Sequence, residues 1–254
     1  RRAVRMAEEA ATDCSSCVML GSIIHNAHVV EDLGRKGVRR ISRPDEVCEG
    51  ETVIIRSHGE AKWVHDALEQ KGCRIVDTAC PNVQRIHRLV AEAEARGRQP
   101  VIIGTPDHPE IVAIAGWCRH PVVLPDGEAL SAWLAECPER RKMPLTLVSQ
   151  TTSTRKIWDH AIETAKKECT NAEIFDTICN ATYIRQTEAQ ELAARCDAMI
   201  VIGDRKSSNT KRLSELCRAL CPRVVAIEGA EELEPASFAG AASIGITAGA
   251  STPG

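Results

Sequence analysis

The sequence predicts an α/β protein made of three related lobes, each with a mainly parallel sheet covered by helices. Its short apolar runs are rich in β-branched residues and do not alternate with polar residues, as in strands buried on both faces. Helical patterns separate these runs, which is typical of parallel sheets. A strand–helix unit also recurs along the chain, which predicts related lobes.

The clearest strand candidates are five apolar runs, at residues 53–55, 101–103, 145–148, 199–202 and 243–246. Between two of them, Val83, Ile86, Leu89 and Val90 follow helical spacing, and Gly97 ends that pattern. Ligands of open parallel sheets bind beyond the carboxyl ends of the strands. Nearly every predicted strand is followed there by polar side chains able to bind an anion or a metal ion.

An internal repeat organises these strand exits. Asp-Thr-x-Cys occurs at residues 77–80 and again at 176–179. Each cysteine precedes a polar strand exit by 28 residues, from Cys80 to His108 and from Cys179 to Ser207. A second strand exit follows each cysteine by 71 or 72 residues, at Thr151 and Ser251 respectively.

The repeat predicts lobes at residues 1–78, 79–177 and 178–254, of which the first is an incomplete copy. Its predicted strands end at residues 23–24, before His25, and at residues 54–55, before His58. The same offset of 28 residues puts its cysteine about three positions ahead of residue 1. Three thiolates, one from each lobe, suit an iron–sulfur cluster with one iron left without a protein ligand.

Composition excludes several other functions. A net charge of −3 argues against a nucleic-acid surface, and 3% aromatic residues argue against a stacking platform for single strands. No apolar run approaches the ~18 residues of a membrane span. Twelve cysteines without a secretory signal favour a reducing cytoplasm. Because the chain begins with Arg inside a helical pattern and stops just after a strand, we expect a fragment cut at both ends.

The strand-exit motifs together resemble those of the 4-hydroxy-3-methylbut-2-enyl diphosphate reductase family, in family order across the whole chain. The matching segments lie at residues 24–30, 56–59, 77–81, 107–110, 149–152, 176–182, 207–209 and 247–251. The resemblance implies three α/β lobes around a 4Fe–4S cluster held by three cysteines. Cys80 and Cys179 match two of them, and the third belongs to a segment ahead of residue 1.

The resemblance also implies the reaction, the two-electron removal of an allylic hydroxyl to give isopentenyl and dimethylallyl diphosphate. Ferredoxin or flavodoxin is the implied electron donor. Glu110 matches the general acid. The residues that match diphosphate contacts are His25, His58, Ser207, Asn209 and Ser251. The residues that match other substrate contacts are His108, Thr151 and Ser208.

Local sequence supports several of these roles. Pro109 and Pro81 are typical of the first helical position, which puts Glu110 in the first turn of a helix and Cys80 at a helix start. A helix start favours the thiolate form that a metal needs. Residues 207–209 precede another helical pattern, where a phosphate gains backbone N–H donors.

The remaining cysteines and histidines have simpler interpretations. We expect core packing for Cys14, Cys17, Cys48, Cys73, Cys118, Cys137, Cys169, Cys196, Cys217 and Cys221. We expect surface or capping positions for His28, His65, His87, His120 and His160. Two alternative functions stay open from the residues: a cluster-free phosphate-binding protein, and an inactive fragment.

Overall fold

The computed structural model describes residues 2–14, 16–24 and 26–252 of the chain. They form two compact units, Arg1–Thr177 and Ile178–Gly254, hereafter unit 1 and unit 2. Both units are built from parallel strands and helices, which confirms the predicted α/β class. Among the described residues, every helix is too short or too polar to cross a membrane.

Unit 1 contains two four-stranded sheets. The strands of the first are β1 (Cys17–Leu20), β2 (Arg39–Ile41), β3 (Thr52–Ile55) and β4 (Arg74–Asp77). The strands of the second are β5 (Gln99–Ile103), β6 (Val122–Leu124), β7 (Leu145–Ser149) and β8 (Ala172–Ile174). The strand orders are β2-β1-β3-β4 and β6-β5-β7-β8, and all neighbouring strands are parallel.

Unit 2 contains one sheet, whose described strands are β9 (Ala198–Ile202), β10 (Val224–Ile227) and β11 (Ile244–Ala248). Its order is β10-β9-β11, again with parallel pairing throughout. Three parallel sheets confirm the predicted three-sheet architecture. The assignment of lobes to residues 1–78, 79–177 and 178–254 stays a proposal.

The helices lie between the strands in sequence, as the alternating pattern predicts. In unit 1 they are α1 (Arg2–Asp13), α2 (Ala27–Arg35), α3 (Lys62–Gln70), α4 (Pro81–Ala95), α5 (Pro109–Ala115), α6 (Gly127–Glu136) and α7 (Arg155–Glu168). In unit 2 they are α8 (Asn180–Ala193) and α9 (Ser208–Arg218).

The first sheet shows why its strands are apolar on both faces. Met19 and Ile54 pack on the same side of the sheet as helix α1. Their neighbours Val53 and Ile55 face the opposite side and pack with helix α3. Since each fully buried aliphatic side chain contributes about 2 kcal/mol, both faces add to stability. This double burial accounts for the missing alternation of polar residues.

One predicted strand exit is wrong. The strand expected to end at residues 23–24 ends earlier, because β1 stops at Leu20. Gly21 follows with a φ of +72°, a conformation that glycine adopts without strain and that ends the extended backbone of the strand. Ile23 is nevertheless buried, so its apolar character reflects core packing.

The repeated Asp-Thr-x-Cys motif has a repeated structural role. The Thr78 hydroxyl donates to the carbonyl of Ile55, at the end of β3, over 2.5 Å. The Thr177 hydroxyl donates to the carbonyl of Ser149, at the end of β7, and accepts from its N–H, both over 2.7 Å. Each threonine thus ties the segment ahead of a cysteine to the end of the neighbouring strand.

Candidate active site

Four of the predicted residues of unit 1 lie together. His58 follows strand β3, His108 and Glu110 follow β5, and Thr151 follows β7. Strands β5 and β7 are paired neighbours in one parallel sheet, so their carboxyl ends meet at the same edge. Contacts join the four residues in sequence: the His58 ring meets the His108 ring, the His108 ring accepts from the Glu110 N–H, and the Glu110 carboxyl group meets Thr151.

The Glu110 carboxyl group is the most deeply buried part of this site. Pro109 begins α5, so Glu110 lies in its first turn, as predicted, with 2% of its surface exposed. The Thr151 N–H donates to Glu110 Oε1 over 2.6 Å, and the Thr151 hydroxyl lies 2.7 Å from Oε2. Burial raises the pKa of Glu110, and the Thr151 hydrogen bonds oppose that shift without cancelling it. The group is thereby suited to hold a proton.

His108 is the N-cap residue of helix α5. Its Nδ1 accepts a hydrogen bond from the Glu110 N–H over 3.1 Å. A nitrogen that accepts carries no hydrogen, so the ring hydrogen lies on Nε2. His108 therefore offers an N–H donor, which suits a hydroxyl or phosphate oxygen of a substrate.

His58 lies beside His108 in a tight turn. The two ring centroids are 5.6 Å apart and the rings are edge to face, at 84°. The Gly59 N–H closes the turn by donating to the Arg56 carbonyl over 2.9 Å. A pair of histidines next to a buried acid can bind an anion and supply protons.

Cys80 lies at the start of α4, as predicted. It is the N-cap residue, Pro81 follows at the first helical position, and its side chain makes no capping hydrogen bond. The Cys80 N–H donates to the Ser57 carbonyl over 3.1 Å, which ties this cysteine to the turn that carries His58. Its thiol is half-buried, reduced and next to the positive end of a helix, which suits a metal ligand.

Unit 2 carries the other predicted residues. Cys179 is the N-cap residue of α8, again without a capping hydrogen bond from its side chain, and is half-buried. Ser207 is the N-cap residue of α9, and its hydroxyl accepts from the Thr210 N–H over 3.4 Å. Ser208 follows in the first turn, and Ser251 lies in the loop after β11.

Asn209 is the unusual residue of unit 2. Its side chain is buried, yet among the described residues neither its amide nitrogen nor its amide oxygen has a hydrogen-bond partner. An unpaired buried amide costs about 1–3 kcal/mol. Such a group at a helix N-terminus points to a ligand with several oxygens, because α9 offers backbone donors there as well.

Two glycines allow the loops of unit 2 to approach each other closely. A Cβ on Gly203 would lie 2.5 Å from Thr210 Oγ1, and a Cβ on Gly249 would lie 2.4 Å from the same atom. The Gly249 N–H also donates to the Ile202 carbonyl at the end of β9 over 2.8 Å. The loops after β9 and β11 therefore meet at Thr210, next to Asn209.

The remaining sequence predictions concern His25 and the metal ligands. His25 lies outside the described residues. Within residues 2–14, 16–24 and 26–252, no three His, Cys, Asp or Glu side chains are grouped to hold a metal ion. The donor chemistry of Cys80 and Cys179, two reduced thiols at helix starts, is nevertheless that of iron–sulfur ligands.

Two of the predictions for cysteines and histidines outside the site are wrong. Cys48 is exposed, because it lies in the loop before β3 outside the packed sheet. His87, expected at the surface, is 4% exposed. It lies on the inner face of α4 beside Ile86 and Val90, and that helical spacing was the sequence signal for its burial. Cys17, Cys217 and Cys221 are in the core, as predicted.

Parallel sheets with ionisable loops at their strand ends, and a buried acid in the same loop as a histidine that contacts a second one, are typical of α/β enzymes that act on polar substrates. Over residues 1–254 the chain matches the family model described as LytB protein. The chain belongs to the LytB family.

Two similar proteins are both named 4-hydroxy-3-methylbut-2-enyl diphosphate reductase. The one from Caldanaerobacter subterraneus subsp. tengcongensis is 40% identical over 240 residues, covering 92% of this chain and 80% of the relative. The one from Geobacter metallireducens is 39% identical over 253 residues, covering 100% of this chain and 88% of the relative.

Two solved structures resemble the chain in fold. The E-1-hydroxy-2-methyl-but-2-enyl-4-diphosphate reductase from Plasmodium falciparum has a TM-score of 0.92 and 23% identity, covering 99% of this chain and 79% of that chain. A structure of (E)-4-hydroxy-3-methyl-but-2-enyl diphosphate reductase has a TM-score of 0.70 and 36% identity, covering 99% of this chain and 89% of that chain.

The burial of Glu110 predicts a pH-dependent stability. Gln can replace its hydrogen bonds, with Oε1 accepting from the Thr151 N–H and Nε2 donating to the Thr151 hydroxyl. Because the folded-state pKa of Glu110 is raised above 4.5, the folded protein holds this proton to a higher pH than the unfolded chain does. As pH rises from 4.5 through the raised pKa, we expect the original protein to lose stability relative to Glu110→Gln.

The measurement is the free energy of unfolding by urea, between about pH 4 and pH 8, where carboxyl and histidine groups titrate. The matched control is Glu163→Gln, which changes an exposed carboxylate on α7. A stability difference between Glu110→Gln and the original protein that does not vary with pH would contradict the raised pKa.

Proposed function

We propose that this chain is a 4-hydroxy-3-methylbut-2-enyl diphosphate reductase. The substrate's allylic C4–OH bond breaks and the hydroxyl leaves as water. Two electrons and two protons enter overall, and the products are isopentenyl and dimethylallyl diphosphate. The observation that carries the proposal is the arrangement of Glu110, whose buried carboxyl group is held by Thr151 and whose backbone N–H donates to His108 beside His58.

Glu110 is the proposed general acid. Hydroxide is a poor leaving group, so breaking the C–O bond requires a proton at the leaving oxygen. A carboxyl group with a raised pKa holds that proton at neutral pH more readily than an exposed one. The Thr151 hydroxyl, 2.7 Å from Glu110 Oε2, can accept the carboxyl proton while its own proton moves to the substrate oxygen.

The diphosphate is the proposed ligand of the histidines and of the loops in unit 2. His25, His58, Ser207, Asn209 and Ser251 are its proposed contacts, and His108, Thr151 and Ser208 are proposed contacts to the rest of the substrate. The unpaired amide of Asn209 at the α9 N-terminus supports the diphosphate assignment. These polar groups need no strongly basic patch, in agreement with a net charge of −3.

Cys80 and Cys179 are the proposed ligands of a 4Fe–4S cluster, with the third ligand a cysteine expected ahead of residue 1. When bound, the cluster supplies a Lewis-acidic iron and delivers the electrons of the reduction. Ferredoxin or flavodoxin is the proposed external donor, and the cytoplasm is the proposed location, where thiols stay reduced. A cluster-free phosphate-binding protein is not favoured, because simple binding gives no reason to bury Glu110.

The acid role predicts a loss of turnover in Glu110→Gln. The amide keeps the hydrogen bonds to Thr151 and cannot donate a proton as an acid, so kcat should fall about 100-fold or more. Iron content and diphosphate binding should stay the same. The measurement is single-turnover reduction of the substrate by the full-length protein with a chemical reductant. Turnover equal to that of the original protein would exclude Glu110 from proton transfer.

The ligand role predicts a loss of iron in Cys179→Ser and Cys80→Ser, measured as iron and inorganic sulfide in anaerobically purified full-length protein. Cys137→Ser is the control, because Cys137 is also half-buried and is the N-cap residue of a short 3-10 helix (Pro138–Arg141), without a capping hydrogen bond from its side chain. The control should keep its iron. Full iron content in either test variant would reject that residue as a ligand.

The diphosphate role predicts that Asn209→Ala weakens binding without weakening the fold. The affinity for inorganic diphosphate should fall about tenfold, as for one lost hydrogen bond to a charged group. The free energy of unfolding should not fall, since no internal hydrogen bond is removed and the buried unpaired amide is lost. Calorimetric titration and urea unfolding measure the two quantities.

The control for this pair of measurements is Ser214→Ala. Ser214 is buried on the same helix, further from its N-terminus, and donates to the Thr210 carbonyl. Its replacement should leave diphosphate affinity unchanged. If Asn209→Ala binds diphosphate as tightly as this control, Asn209 does not contact the ligand.

A further inference from the structure

A pair of stacked rings lies behind the turn that carries His58. This His58 turn is defined as residues 56–60. The ring pair consists of His87 and Trp117, whose ring centroids are 4.9 Å apart at an interplanar angle of 16°. None of the roles assigned above uses either ring.

Both rings contact the His58 turn directly. Trp117 Nε1 donates to the Glu60 carbonyl over 2.9 Å. A Cβ built on Gly59 would lie 2.6 Å from His87 Cε1, so the edge of the histidine ring presses against the glycine. Gly59 has a φ of +77°, which a side chain would strain even without this contact. The turn therefore fits against the rings only because residue 59 is glycine.

The ring pair is anchored on the elements that carry the rest of the unit 1 site. His87 lies on α4, whose N-cap residue is Cys80, and Trp117 follows α5, whose N-cap residue is His108. His65 packs edge to face against Trp117, with ring centroids 5.6 Å apart. The rings thus connect the His58 turn to the helices that start at two other site residues.

Two further contacts hold the His58 turn and the start of α3, which follows it. Arg56 Nε and Glu60 Oε1 form a half-buried ion pair of 2.7 Å across the turn. The Lys62 N–H donates to the Gly116 carbonyl over 3.2 Å, next to Trp117. Burial lowers the pKa of His87 to about 4, so its ring is neutral and adds no positive charge behind His58.

We propose that His87 and Trp117 are positioning residues that fix the His58 turn, so that His58 stays beside His108 in the position from which it binds the diphosphate. Neither ring is proposed to touch the substrate. The proposal rests on the proposed role of His58 in diphosphate binding. A ligand contact that is misplaced by about 1 Å can lose much of its effect, so the support behind His58 matters for affinity.

A double-mutant cycle tests this proposal in the full-length protein, with inorganic diphosphate as the probe in calorimetric titration. The variants are His58→Ala, His87→Ala and the double variant, and His160→Ala is the control because His160 is an exposed histidine on α7. We expect His87→Ala alone to raise the Kd about tenfold, the effect of one lost charged hydrogen bond. In the His58→Ala background the same change should have no further effect.

Turnover provides a second readout. His87→Ala should raise KM for the allylic diphosphate and leave kcat nearly unchanged, because the lost contact acts on binding. Trp117→Phe keeps a ring in the stack and removes only the N–H donor to Glu60, so it should raise the Kd less. If His87→Ala does not fold, as judged by circular dichroism, Trp117→Phe replaces it in the cycle.

Results that differ from these expectations overturn either the positioning role of the rings or the diphosphate contact of His58. An unchanged Kd in His87→Ala, or in Trp117→Phe where it replaces it, rejects the positioning role. An equal rise in Kd with and without His58 also rejects it, because the rings would then act through the fold in general. If His58→Ala itself leaves the Kd unchanged, the proposed diphosphate contact of His58 fails, and the inference fails with it.

Discussion

The hydrogen bonds between Thr151 and the buried carboxyl group of Glu110 are the interaction on which the site of unit 1 depends. Glu110 follows strand β5 and Thr151 follows strand β7, so these bonds join the exits of two paired strands. His108 is held in turn by the Glu110 N–H, and its ring contacts His58. The sheet supplies the common edge, and the carboxyl group sets the relative positions of the loops.

Much of this arrangement could be predicted from the sequence, for physical reasons. The non-alternating apolar runs identified buried parallel strands, and parallel strands bring their exits to one edge. The prolines at 81 and 109 identified helix starts, which put Cys80 and Glu110 where the structure has them. The repeated Asp-Thr-x-Cys segment predicted equivalent positions, and Thr78 and Thr177 make equivalent hydrogen bonds to the ends of neighbouring strands.

The features that could not be predicted from the sequence depend on contacts between segments that are distant along the chain. Gly59 fits closely against His87, which lies 28 positions further along the chain, and no local sequence pattern predicts this contact. The same holds for Thr210, which packs against Gly203 and Gly249 from two different loops. His87 was within reach of prediction, because it shares the inner face of α4 with Ile86, but an ionisable ring is rarely assigned to a core.

Five of the buried polar residues named above differ in whether burial satisfies their side chains. Thr78, Thr177 and Ser214 are buried with hydrogen bonds to backbone carbonyls, so their burial stabilises the fold. Asn209 is buried with an unpaired amide, and Glu110 is buried where ionisation is unfavourable. Neither arrangement is explained by stability, since a smaller or apolar side chain would avoid the penalty. Both residues lie in the first turn of a helix that follows a strand exit. A phosphate there would give Asn209 the partner that it lacks, and a leaving oxygen would take the proton that burial favours on Glu110.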